Sequence, residues 1–247
     1  TFSIGFENDD YDESKKSYKI SKMLGLENNI LMMKESDLID LVDQLPDIYS
    51  EPFGDSSSLP SLLLSKFSKQ KVKVCLSGDG GDELFGGYNR YMLVDKIWNN
   101  IKFFPLFLRK YFKTSLLNLS EKNKYTISMF LLKNFSEKNQ KLEKLFDVLD
   151  SKTKLDLYKN ILTKSKNSFN LLNHEICEDI VLKNFNFLSS FQENMMLNDT
   201  KFYMQDDILC KVDRSSMFYS LEARVPFLDF DLFCASWRVP LKFKKNK

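Results

Sequence analysis

At 247 residues, 43% apolar and 28% charged, the chain can bury a substantial core and has the composition of a globular protein. A formal net charge of +2, with lysines scattered among Asn, Ser and Phe, argues against a nucleic-acid-binding surface and against an acidic tail. No stretch reaches the ~18 uninterrupted apolar residues of a membrane span and no basic-then-apolar leader opens the chain, so no membrane partner and a cytoplasmic location are expected.

The first elements alternate. Phe2–Phe6 reads as a strand, and a helix should run from about Asp12, whose carboxylate can cap it, to Met23-Leu24, with Gly25 placed to end it. Ile30–Met33 is a short buried run. Ser36-Asp37 opens a helix with apolar residues at Leu38, Leu41, Val42 and Leu45, the 3.6-residue period. Pro46, Pro52 and Pro60 bracket a loop through Asp55-Ser56-Ser57, and a helix through Leu62 to Phe67 follows. Val72–Leu76 is then a β-branched segment leading into Ser77-Gly78-Asp79-Gly80-Gly81-Asp82-Glu83-Leu84-Phe85-Gly86-Gly87. Strands alternating with helices imply parallel crossovers and a doubly wound sheet over residues 1–91.

From 92 to 247 the character changes: glycine is absent and the pattern reads as helix throughout. The clearest helix should run from Asp206-Asp207 to Ala223, with Ile208, Val212, Met217 and Leu221 at mostly i+4 spacing and Pro226 enforcing a stop. Cys75, Cys177, Cys210 and Cys234 form no C-x-x-C pair, so neither a zinc site nor a redox pair is expected. His174, the only histidine, lies in a polar helical stretch, and without a G-x-S-x-G elbow a Ser-His-Asp hydrolase finds no support.

Five of the eight glycines fall between 78 and 87, directly after a strand, with Asp79, Asp82 and Glu83 among them. Glycine is used where backbone must turn with positive φ or approach something closely, and such turns at strand ends hold ligands in α/β proteins. No Gly-Lys-Ser/Thr follows, so this is no Walker loop, and the acids miss the EF-hand spacing. A nucleotide or acyl-adenylate cradle remains, with Ser77 and Gly78 offering backbone and Asp79 or Asp82 handling a proton or Mg2+. The plainer alternative is a solvated turn whose acids cap the next helix. Lys211, Asp213, Arg214, Glu222 and Arg224 form a second charged cluster, which on its own reads as surface pairing along one helix, worth only ~0.2–0.5 kcal/mol per pair.

Four stretches together carry a resemblance. Ser77–Tyr91 resembles the signature of glutamine-dependent asparagine synthetases in their synthetase domain. Lys211–Met217 with Ser220–Asp229 is similar to that family's second signature. Phe2–Phe6 with Tyr11-Asp12-Glu13, and Glu51-Pro52-Phe53 through Ser57, match two further family stretches in the same order. Residues 92–198 carry no such match.

The resemblance implies a Rossmann-like (adenine nucleotide α-hydrolase-like) parallel sheet followed by a largely helical half, within one partial synthetase domain. It implies that ATP, with Mg2+, activates aspartate as β-aspartyl-AMP, and that ammonia from a glutaminase domain outside this chain yields asparagine. By position, Ile4, Ser77 and Gly78 would lie against AMP, and Asp79 would serve formation or use of the intermediate. Asp79 stands where many relatives have Glu. Asp82 and Glu83 would hold Mg2+ or the substrate amino group, Asp82 being the metal candidate. Val212, Met217, Ala223 and Val225 would line the ammonia tunnel exit. A homodimer is compatible with the family. The pyrophosphate loop Ser-Gly-Gly-x-Asp-Ser is expected on a strand before Thr1, so the 247-residue piece alone reads as a fragment that makes no asparagine. A paralogue amidating another carboxylate, and a non-catalytic remnant, are the competing expectations.

Overall fold

A computed structural model describes residues 1–6, 12–117, 148–163 and 185–244. Tyr11, His174 and Cys177 lie outside the described residues. Two compact units divide the chain, one of residues 1–87 and 185–247, the other of residues 88–184.

In the first unit, β1 (Phe2–Phe6) pairs in parallel with β2 (Asn29–Met33), in the register Phe2↔Asn29 to Phe6↔Met33. The crossover is α1 (Ser14–Met23). Asp12 does secure its start, accepting from Ser14 N at 3.0 Å and from Phe6 N at 3.3 Å, so one carboxylate ties the helix to the strand before it. Gly25, at φ +67°, ends it, and Leu26 N reaches back to Ser21 O at 2.9 Å. The helix expected over 36–45 is two pieces, α2 (Glu35–Val42) and α3 (Leu45–Ile48), because Pro46 starts a new turn rather than ending the old one. The following α4 (Ser58–Lys69) contains the helix expected through Leu62 to Phe67. Met33, Leu41, Ile48, Tyr49, Leu62 and Leu63 form the core, with Ile4, Phe6 and Leu31 packed on it. These are the inward faces of β1, β2 and the three helices.

The second sheet corrects the expectation of an all-helical second half. β3 (Val74–Leu76) pairs in parallel with β4 (Glu222–Arg224), in the register Val74↔Glu222, Cys75↔Ala223 and Leu76↔Arg224. Among the described residues the unit is thus mixed α/β, with two separate two-stranded parallel sheets. After β3 come α5 (Gly81–Phe85), and later α9 (Phe191–Asn198), a π-helical stretch (Asp199–Leu209) and α10 (Cys210–Phe218), joined end to end. The helix expected from Asp206 to Ala223 therefore starts far earlier and stops five residues sooner. Ser220 sits at φ +56°, a left-handed residue that breaks the helix and lets the chain enter β4. Leu221 is buried (2% exposed) from that turn rather than from a helix face, so its i+4 spacing from Met217 misleads. A 3-10 turn (Pro226–Leu228), α11 (Phe230–Arg238) and α12 (Leu241–Lys244) complete the unit, and Asp229 caps α11 by accepting from Leu232 N at 3.0 Å.

The described part of the other unit is helical: α6 (Asn89–Ile101), α7 (Leu106–Leu117) and α8 (Lys154–Leu162). Arg109 is buried and donates to the carbonyls of Phe104 at 3.0 Å and Ser151 at 2.7 Å, pinning the start of α7. Among the described residues no helix is long and apolar enough to cross a membrane.

Candidate functional site

The glycine-rich turn is built from both sides of the second sheet. Ser77 N donates to Arg224 O at 2.8 Å, extending the β3–β4 ladder by one bond, and the Ser77 hydroxyl donates to the Asp79 carboxylate. Gly80 adopts φ +83°, a conformation that disfavours any side chain. At Gly81 a Cβ would stand 3.2 Å from the Phe227 ring, so this glycine admits a protein ring rather than a ligand. Gly78 differs: a Cβ there would meet nothing within 4 Å. Its backbone is the stretch of the turn open to a visitor.

Beside Ser77 and Asp79 lies a cavity of about 580 Å³, within the usual range for small-molecule sites. It lies between the two sheets, reaching Phe2 of β1 on one side and Cys75 and Leu76 of β3 on the other. Helix α4 contributes Ser61 and Ser65, and α10 contributes Val212, Ser215 and Ser216. These helical serines spend their protons on their own helices. Ser61 donates to Ser57 O and Ser65 to Ser61 O, each at 2.8 Å, and Ser215 and Ser216 donate to Val212 O and Asp213 O at 3.2 Å. Their free lone pairs make that wall an acceptor surface, suited to hydroxyl or amino hydrogens of a ligand. Burial raises the Cys75 thiol above its ordinary pKa, which keeps it protonated and unreactive at neutral pH.

Lys211 is the one lysine or arginine among the lining residues, and Asp79 the one acid. Lys211 is buried (7% exposed), and its ammonium donates to Asp55 Oδ2 and to Ser57 Oγ, both at 2.6 Å. Asp55 also accepts from Ser57 N at 2.9 Å, just ahead of α4. Burial pushes the Asp55 carboxyl up. The hydrogen bonds from Lys211, the Ser57 amide and Asp207 more than offset this and hold it well below the usual carboxylate range. Next to this group Tyr49 stacks on Phe53, with centroids 4.5 Å apart. Burial, helped by Cys210, Asp55 and Asp207, pushes its phenol up to about 12.

The cavity thus brings together Ser77, Asp79, Lys211, Val212 and Ala223. The other sequence candidates stand elsewhere. Ile4 packs on the core of the first sheet. Asp82 is exposed, with its carboxylate folded against Gly87, and Glu83 is buried (1% exposed). Met217 is exposed and Val225 half-buried, neither on the cavity wall. Asp213 and Arg214 are exposed on α10, while Glu222 and Arg224 lie on β4 and pair with each other at 3.5 Å. The second cluster is therefore split between helix and strand, not carried on one helix. Asp55 and Ser57 carried no assigned role in the sequence. Their Asp-x-Ser spacing signals a helix start, but nothing local points to Lys211, 156 residues away.

Among the described residues no three His, Cys, Asp or Glu side chains come together as a metal cage. An ion carried on nucleotide phosphates needs only one or two carboxylates, and Asp79 fits that lesser requirement.

The chain is similar to asparagine synthetase [glutamine-hydrolyzing] 1 of Bacillus subtilis, 27% identical over 254 residues, which cover 99% of this chain and 37% of that protein. It is also similar to the putative asparagine synthetase [glutamine-hydrolyzing] 2 of Methanocaldococcus jannaschii, 40% identical over 109 residues, 44% of this chain and 21% of the relative. A putative asparagine synthetase [glutamine-hydrolyzing] of Mycobacterium tuberculosis is 24% identical over 97% of the chain and 35% of its own length. The chain spans little more than a third of the length of these curated relatives, or less. The family model described as asparagine synthase matches residues 1–247. With every residue inside that match, the chain belongs to the asparagine synthase family.

Proposed function

We propose that the chain forms the synthetase portion of a glutamine-hydrolysing asparagine synthetase. The observation that carries this reading is the cavity in which Ser77 and Asp79, at the open end of the glycine-rich turn, meet Lys211, Val212 and Ala223 from the second signature. A β-carboxylate oxygen of aspartate would attack the α-phosphorus of ATP and expel pyrophosphate, giving β-aspartyl-AMP. Ammonia would then attack the acyl carbon, and AMP would leave with its carboxylate-derived oxygen.

In this reading the backbone at Ser77 and Gly78 binds the AMP moiety, with Ile4 holding β1 in place behind it. Asp79, oriented by the Ser77 hydroxyl, takes a proton from the attacking amine or positions the substrate amino group. Mg2+ bound with the phosphates would neutralise their charge, with Asp79 and Asp82 as the available carboxylates and Glu83 supporting the turn from inside. Val212 and Ala223 supply apolar wall, which keeps ammonia unprotonated and nucleophilic and shields the mixed anhydride from water. Met217 and Val225 would extend that path where ammonia arrives from a glutaminase domain. Lys211, Asp213, Arg214, Glu222 and Arg224 act as framework for this wall.

The test is aspartate-dependent ATP–pyrophosphate exchange by the full-length protein. Exchange should require aspartate, and ammonia-dependent asparagine formation should fall about 10²–10³-fold in Asp79→Asn, the scale of losing one aimed polar group at a reacting centre. Exchange that ignores aspartate, or an Asp79→Asn variant that forms asparagine at the wild-type rate, would overturn the reading.

A further inference from the structure

We propose that Asp55 is a positioning residue for the cavity, acting through Lys211 to set the register of α10 against the start of α4. The proposal rests on the cavity being the nucleotide site. Three observations carry it. Lys211 is more than nine-tenths buried, yet its ammonium meets a carboxylate and a hydroxyl at 2.6 Å each, and both come from the short stretch leading into α4. Asp55 is held from its own side as well, by Ser57 N and Ser57 Oγ at 2.9 Å, so the carboxylate has a fixed place rather than a mobile one. The two elements joined this way also supply facing parts of the wall, Ser61 and Ser65 from α4 and Val212, Ser215 and Ser216 from α10.

A buried ion pair is a poor source of net stability, because desolvating both charges offsets most of their attraction. What it does supply is geometry. An apolar contact between two helices tolerates sliding, whereas an ammonium shared between two acceptors has one low-energy position. A one-residue slip of α10 would replace Val212 and Ser215 on the wall with neighbours of different shape and polarity. The same slip would pull on Leu221 and Ala223, and through the β3–β4 ladder on Ser77. The pair thus stands at the point where the second signature is indexed to the first.

The experiment separates position from stability in the full-length protein. ATP affinity and melting temperature are measured for wild type, Asp55→Leu/Lys211→Met and Asp55→Glu. In the double variant both charges are gone, so it should melt at or above the wild-type temperature while binding ATP at least tenfold more weakly. Asp55→Glu keeps the charges but lengthens one arm, and should likewise keep its melting temperature and lose ATP affinity. It also keeps the test alive if the double variant does not fold. Wild-type ATP affinity in either folded variant would overturn the positioning role and leave the proposed function standing. No ATP binding by the wild-type protein would overturn both.

Discussion

Tyr49 carries the most exact residue-scale consequence. Its hydroxyl is buried and has no hydrogen-bond partner among the described residues, while its ring stacks on Phe53. Tyr49→Phe should therefore be neutral or stabilising by up to ~1 kcal/mol, because an unsatisfied hydroxyl is removed and the stack is kept. A thermal melt reads this as an unchanged or higher midpoint. The phenol is raised to about 12, so its contribution is intact below the ordinary tyrosine value near 10 and is lost as pH climbs toward 12. Asp55 has the opposite sign. Its carboxyl is depressed, so its contribution is present above the ordinary value near 4 and disappears as pH falls through the lower folded value. Lys211→Met alone leaves that carboxylate without its cation, which should cost about 3–5 kcal/mol and lower the melting midpoint by roughly 10 °C. A midpoint within 2 °C or so of wild type would show that the pair is unimportant to the fold.

At the scale of elements, short irregular pieces decide where the regular ones end. Ser220 holds φ +56° without being glycine, and its carbonyl accepts from Lys69 Nζ at 2.5 Å, tying the end of α4 to the turn. Ser220→Gly should stabilise by up to ~1 kcal/mol, since the left-handed cost of a side chain exceeds the entropy that glycine adds to the unfolded chain. Ser220→Val should destabilise by at least as much, and chemical denaturation of the pair of variants checks the order. Gly80 poses the same problem with less room, because a Cβ would stand 3.5 Å from both Met204 and Phe227 at φ +83°. Gly80→Ala should cost ~1–2 kcal/mol from backbone strain alone. The turn that faces the cavity is thus fixed by its own backbone before any ligand arrives.

Over the whole molecule, the site depends on chain segments far apart in sequence meeting in one place. Glu222→Pro would remove the bond from Glu222 N to Lys73 O at 2.9 Å, so it should lower the melting midpoint and ATP affinity together, because β4 also holds Ser77. If only stability fell, β4 would be framework and not part of the site. The sequence by itself determined what depends on near neighbours. Asp12 and Gly25 bracket α1, the parallel β-α-β crossover follows from the strand and helix periods, and the glycines at 78–87 mark a turn after a strand. Each of these rests on a cap, a period or a positive φ, which act within a few residues. Only the tertiary structure decided that Glu222–Arg224 is a strand, since three residues carry no period of their own and gain strand geometry from bonding to β3. It alone placed Lys211 on Asp55 across 156 residues, because a buried charge finds whichever partner packing brings to it. And it alone gathered Ser77, Asp79, Val212 and Ala223 around one cavity, which is a property of how the sheets and helices pack and of no single stretch of chain.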